Sequence, residues 1–372
     1  SGRGQSKDRR IIPVENSRTV ALDNITIGEA LKAAGYKTAA IGKWNIGNSP
    51  DKQGFDVSFS SDSLGFRNGH FDENGEYLAD RLTDEAIKFI NDNSDGPFFL
   101  YLSHYSVHTP IEAKEELIKK YQTAEPDGCH NNPVYAAMIE SVDESVGRVL
   151  HTLDDLGIAD NTVVVFFSDN GGYGPVTCMD PLRGAKGMYY EGGIREPMAV
   201  KWPVRVKAGT VCESPVIGLD FFPTFMDMAG ATIPENKILD GMSILPLLLG
   251  EKSVDRDKLF WHFPAYLQKY KGGMEDARDT LFRTRPVSVI RKGDWKLLLF
   301  YEEWMLDGGE KSIATNNAVE LYNLAADIGE TNNLATSDTI RRNELLSDLF
   351  KWLKDINAPL PGEENPDYID NK

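Results

Sequence analysis

The chain has 372 residues, 41% hydrophobic and 26% charged, a composition that argues for a folded globular protein and against disorder. Its 40 basic and 57 acidic residues leave a formal charge of −17. That balance excludes the basic footprint a nucleic-acid partner requires, but not a small anionic substrate held by a few local cations and a metal. The length predicts one large α/β domain over 1–250 and a smaller subdomain over 251–372. No apolar run approaches the roughly 18 residues of a membrane-spanning helix. Cys129, Cys178 and Cys212 form neither a C-x-x-C pair nor a disulfide framework, so at most one bridge is expected.

In chain order, Thr26-Ile27-Gly28-Glu29 has capping-box spacing, and Ile27, Ala30, Leu31 and Ala34 follow at helical intervals up to the stop at Gly35. Tyr36 to Ile41 reads as a buried strand that delivers Gly42, Lys43, Trp44 and Asn45 at its carboxyl end. A helix carrying Leu82, Ala86, Ile87 and Ile90 comes next. Phe98 to Leu102 then predicts a second buried strand, running into Ser106-Val107-His108-Thr109-Pro110. After Pro133 a long helix is predicted, with Tyr135, Met138, Ile139, Val142, Val146, Val149, Leu150 and Leu153 as its apolar stripe. Glu140, Asp143 and Glu144 fall on its wet face. Thr162 to Phe167 reads as a strand buried on both faces, ending in Ser168-Asp169-Asn170-Gly171-Gly172. Strand and helix alternate throughout, which predicts a helix-flanked, largely parallel or mixed sheet with ligands beyond its carboxyl edge.

Beyond residue 250 the pattern changes. Leu259–Phe263, Val287–Ile290, Trp295–Phe300 and Glu320–Leu324 read as short strands between polar turns. An amphipathic helix with Ile340, Leu345, Leu349, Trp352 and Leu353 follows. A small antiparallel sheet with one helix fits, and the stretch 359–372 reads as an extended arm.

Chemistry concentrates at the predicted strand ends. Asp169 and Asn170 offer a carboxylate and an amide oxygen beside two glycines, a donor set for a hard cation or a simple Asx turn. Lys43 and Lys186, the latter in Arg183-Gly184-Ala185-Lys186-Gly187, are cations placed where an anionic oxygen could approach. His108 could donate a proton to a leaving group or bond to backbone. His262, between Trp261 and Phe263, is a packing residue or a substrate-pocket wall. His104 and His130 read as structural or surface residues.

These segments, in this order, resemble the sulfatase family of the alkaline-phosphatase-like superfamily. The resemblance rests on Gly35 through Gly47, Tyr101 to Pro110, Phe167 to Gly172, and Leu182 through Pro197. Asp220-Phe221-Phe222-Pro223-Thr224, Asp240-Gly241-Met242-Ser243, Arg291 to Leu297 and Glu320 to Thr331 extend it. It implies an alkaline-phosphatase-like fold and hydrolysis of sulfate esters, of a sulfated saccharide or an aryl sulfate. The family uses a formylglycine made from a Cys or Ser in a C/S-x-P-x-R segment. Its hydrated aldehyde attacks sulfur beside Ca2+, and elimination of sulfate restores the aldehyde. On that pattern Asp169 and Asn170 are calcium ligands, Lys43 and Lys186 hold sulfate oxygens, and His108 helps protonate the leaving oxygen.

Asn45 stands where the family pattern carries a His, and an amide cannot act as a base there. Ser1-Gly2-Arg3 resembles the close of the nucleophile signature, whose modified residue would lie about nine residues upstream. The expectation is therefore a fragment, either complemented by a separate amino-terminal piece or shortened by cleavage. The resemblance also implies a periplasmic or secreted setting. A phosphodiesterase or phosphonate hydrolase, or a non-catalytic chain that binds sulfated glycans, are the alternatives.

Overall fold

The computed structural model describes residues 7–15, 17–67, 69–235, 237–251, 253–270 and 277–369; Ser1-Gly2-Arg3 lies outside them. Two compact units divide the chain. One comprises Ser17–Phe166 and Met198–Val254, and the other Ser1–Asn16, Phe167–Pro197 and Asp255–Lys372. Residues 167–197 thus belong with the carboxyl-terminal strands, although the sequence suggests a boundary near 250.

In the first unit, strands β1 (Lys37–Gly42), β2 (Val57–Phe59) and β3 (Phe98–Ser103) form a parallel sheet in the order β2-β1-β3. Central β1 is buried from Thr38 to Gly42. The helix Ile27–Ala33 ahead of it starts on the expected capping box, with Thr26 accepting from Glu29 N–H and Glu29 reaching back to Thr26 N–H. Ala39 and Ile41 of β1 pack with Leu78, Leu82, Ala86 and Phe89 of the helix Leu78–Asp92.

β3 is less covered than its sequence suggests. It pairs with β1 on one side, and Tyr101 is 45% exposed. The same holds for β4 (Val164–Phe167), which pairs with β5 (Met198–Lys201) in a separate two-stranded sheet. Phe166 and Phe167 are exposed there, against the expectation of burial on both faces. The reason is the same in both strands: a strand paired on one edge has fewer neighbours to cover its side chains.

The long helix spans Pro133–Asp155, but its inward face is Ala137, Met138, Ser141, Ser145 and Leu153, and Ile139 is half exposed. Small residues win that face because the helices Leu78–Asp92 and Glu115–Gln122 both pack against it. Glu140 and Glu144 are ion-paired to Lys120 and Lys114.

The second unit is built on an antiparallel sheet of β6 (Lys258–Phe263), β9 (Val287–Lys292), β10 (Trp295–Phe300) and β11 (Val319–Asn323), in the order β11-β10-β9-β6. A ribbon of β7 (Leu267–Gln268) and β8 (Phe282–Thr284) accompanies it. Alternate residues of β10 enter different cores. Leu297 and Leu299 join Leu345, Leu349 and Leu353 of the helix Thr339–Asp355, while Leu298 and Phe300 join Met188 and Tyr190. Ile340, expected on the helix's apolar face, is 83% exposed. It lies in the first turn, ahead of the residues that touch the sheet.

Candidate active site

Lys43, Asn45 and His108 belong to the first unit. Gly42 ends β1 with φ +115°, and a Cβ there would stand 1.9 Å from the Ser103 carbonyl oxygen. Only glycine therefore lets the carboxyl ends of β1 and β3 converge. The Lys43 N–H donates to the Ser103 carbonyl at 2.8 Å, and the Ser103 hydroxyl donates to the Lys43 carbonyl at 2.7 Å. Lys43 and the loop running to His108 thus start from one point on the sheet edge, as the strand-end argument requires.

The loop uses its two histidines differently. His104 Nε2 lies 2.9 Å from Ser145 Oγ, and burial pushes its pKa down to about 4, so the ring is neutral and structural. His108 is exposed. Its Nδ1 lies 2.9 Å from the Thr109 carbonyl, a contact that needs the proton on Nδ1 and leaves the neutral ring's lone pair on Nε2. Its own carbonyl lies 2.9 Å from Nε2 of buried His70. Asn45 is exposed, one residue beyond Trp44, whose indole N–H donates to the Asn48 carbonyl at 2.6 Å.

Asp169, Asn170, Lys186 and His262 belong to the second unit, and the first three are brought together. The Lys186 N–H donates to the Gly172 carbonyl at 3.0 Å, and the Gly171 N–H to the Gly193 carbonyl at 3.2 Å. A Cβ on Gly171 would stand 2.1 Å from the Gly192 carbonyl oxygen, so this approach also requires glycine. Lys186 follows no strand. It sits in a loop, and its link to the Asp169–Gly172 turn is tertiary.

A further acid stands here. Glu196 Oε1 is buried with no hydrogen-bond partner among the described residues. Burial first, and then the charge of Asp169, push its pKa up to about 7. Two carboxylates and an amide oxygen with an orphaned acceptor form an oxygen-only donor set that fits a hard cation such as calcium. Sequence reasoning passed over Glu196; its signal was its place in Glu191–Pro197, beside the resemblance's own landmarks.

His262 turns both ring nitrogens to the protein. Nδ1 lies 2.7 Å from Ser288 Oγ and Nε2 3.0 Å from the Pro359 carbonyl, and burial lowers its pKa.

The glycine turn that supports Gly171 is braced from beneath. Lys296, fully buried in β10, places Nζ 2.9 Å from Glu191 Oε1 and 2.9 Å from Glu330 Oε1. Glu330 Oε2 accepts the Glu191 N–H at 2.6 Å. Glu191 opens the Glu191–Ile194 turn that carries Gly192 and Gly193. A lone Lys inside the apolar run Trp295–Phe300 is the sequence signal for this triad.

The sulfatase family model matches residues 10–231, more than half of the chain. The chain belongs to the sulfatase family. A second family model, N-sulphoglucosamine sulphohydrolase, C-terminal, matches residues 185–358. A sulfatase of Formosa agariphila is 36% identical over 76% of this chain and 51% of its own length. Human N-acetylgalactosamine-6-sulfatase is 31% identical over 63% of this chain and 50% of its own. The chain therefore spans about half the length of these curated relatives. Among solved structures, Ps i-CgsB in complex with k-i-k-neocarrahexaose matches with a TM-score of 0.73 and 27% identity, over 97% of this chain and 81% of that one.

The α/β class and the antiparallel carboxyl-terminal sheet of the sulfatase fold agree with the sequence reading. Cys129 and Cys178 are disulfide-bonded, and Cys212 is an exposed free thiol. Among the described residues no helix is long and apolar enough to cross a membrane.

Proposed function

We propose that this sulfatase-family chain carries the greater part of a sulfuric-ester hydrolase acting on a sulfated saccharide. The observation that supports it most is the Asp169–Gly172 turn bonded to Lys186, with the orphaned Glu196 carboxyl beside Asp169. Asp169 and Asn170 would hold Ca2+, which when bound polarises a sulfate oxygen and favours the ionised nucleophile. The nucleophile of this reading is a formylglycine in a C/S-x-P-x-R segment, a context that no Cys or Ser of these 372 residues provides.

The chain's own residues then do the following. Lys43 and Lys186 bind sulfate oxygens and offset the charge that builds on them in the transition state. His108, with its proton on Nδ1 directed at Thr109, works through Nε2. When protonated there, it gives that proton to the departing sugar oxygen. Asn45 orients through hydrogen bonds and moves no proton. His262, its nitrogens occupied, serves as a wall of the pocket through its ring. An N-acetylgalactosamine-6-sulfatase among the relatives and a complex with k-i-k-neocarrahexaose among the solved structures support a saccharide substrate. The disulfide-bonded cysteines suit an oxidising compartment outside the cytoplasm.

The test is sulfate release, followed by ion chromatography, from a panel of sulfated mono- and disaccharides and from 4-nitrophenyl sulfate, using protein that carries its formylglycine segment and calcium. Release from saccharides that is lost in Lys186→Ala is expected. Faster turnover of the matching phosphate esters would instead place the chain with the phosphoester-cleaving branch of the fold.

A further inference from the structure

Three arginines lie in the short segment 278–285, and they are neutralised unequally. Arg278 reaches Glu320 Oε1 at 2.5 Å and Glu303 Oε1 at 3.1 Å. Arg285 reaches Asp279 Oδ2 at 2.6 Å and also pairs with Glu302. Arg283 has no carboxylate partner among the described residues. Its Nε–H donates to the Gln268 carbonyl at 2.8 Å and one terminal nitrogen approaches the Lys186 carbonyl at 3.5 Å. Its guanidinium lies over the Tyr270 ring, 4.5 Å from the centroid.

These contacts fix the guanidinium beside the proposed sulfate site. The Tyr270 hydroxyl donates to the same Lys186 carbonyl, and Tyr173, the residue after Gly172, meets the Tyr270 ring edge-on at 5.1 Å. The side chain is oriented by backbone carbonyls and an aromatic face, neither of which neutralises its charge. In a chain of net charge −17, acidic partners are plentiful, and both neighbouring arginines have two. A guanidinium carries five N–H donors in a fixed fork; those not used by Gln268, Lys186 and the Tyr270 hydroxyl can grip an oxyanion.

We propose that Arg283 binds a second anionic group of the substrate, a sulfate or carboxylate other than the sulfate being cleaved. The preferred substrate is then a saccharide with two anionic groups. Arg283 sets specificity, and the proposal rests on the reading of Lys186 as a sulfate-binding residue.

Calorimetric binding to the calcium-loaded chain tests it with three probes: N-acetylglucosamine 6-sulfate, glucosamine N,6-disulfate and a chondroitin 6-sulfate disaccharide. The first has one anion, the second two sulfates, and the third a sulfate and a carboxylate. The wild type is expected to bind at least one dianionic probe about tenfold or more tighter than the monosulfate. Which one it favours identifies the second group. Arg283→Ala should collapse that ratio toward one, and Arg283→Lys, which keeps the charge but not the fork, should restore part of it. If Arg283→Ala loses its cooperative thermal transition, Arg283→Gln carries the same comparison. Equal binding of all three probes by the wild type, or an unchanged ratio in the neutral variant, overturns the proposal. Failure of the wild type to bind any of the three overturns the sulfated-saccharide reading beneath it.

Discussion

Strands β3 and β10 are similarly apolar in sequence, Phe98-Phe99-Leu100-Tyr101-Leu102-Ser103 and Trp295-Lys296-Leu297-Leu298-Leu299-Phe300, yet they end in different environments. β3 pairs on one edge and leaves Tyr101 45% exposed. β10 has a neighbour on each side and a separate core on each face, so Lys296 through Phe300 are buried. Apolar residues mark a strand, but its neighbours decide its burial. Where coverage is complete, even a lysine is enclosed, provided two carboxylates meet it.

The sharpest break of this comparison is Lys296→Met. It leaves Glu191 and Glu330 buried without their shared cation, and should cost about 3–5 kcal/mol in denaturant unfolding. A loss under about 1 kcal/mol would show that the triad is not a brace. Next comes Lys186→Ala, which should lower the rate of sulfate release by about 10²–10³-fold. Calcium should raise the melting temperature, equivalent to about 2.7 kcal/mol at one hundred times its Kd. Asp169→Ala should remove that gain, whereas a Lys43→Ala chain should keep it.

His104 provides a pH test in the first unit. Its folded pKa of about 4 lies below the ordinary 6.5, so the unfolded chain takes up the proton first. The stability it contributes is complete above about pH 6.5 and is lost as pH falls toward 4. His104→Asn should flatten the melting-temperature profile in that window, and an unaltered slope would assign the acid sensitivity elsewhere. The smallest effect belongs to Tyr101→Thr, expected within about 0.5 kcal/mol because the side chain is half in water already. A loss of several kcal/mol would mean that β3 is covered in the working protein.

Much of the fold was legible. The capping box at Thr26, the burial of β1 and the positions of all four strands of the antiparallel sheet follow from local pattern, which capping chemistry and the two-residue strand period impose without tertiary help. Local pattern misjudged β4 and Ile340, because it registers that a residue is apolar and not what stands opposite it.

From sequence alone come the family, the strand ends that present Lys43 and Asp169, and the loop that carries His108, since each rests on contiguous residues and their spacing. Tertiary structure alone decided that Lys186 is bonded to the Asp169–Gly172 turn, that Glu196 crowds Asp169, that Lys296 meets Glu191 105 positions away, and that Arg283 approaches Lys186 across 97. The physical reason is range. Hydrophobic period and turn chemistry act over a few residues, whereas charge pairing and backbone contact join whatever the fold makes adjacent.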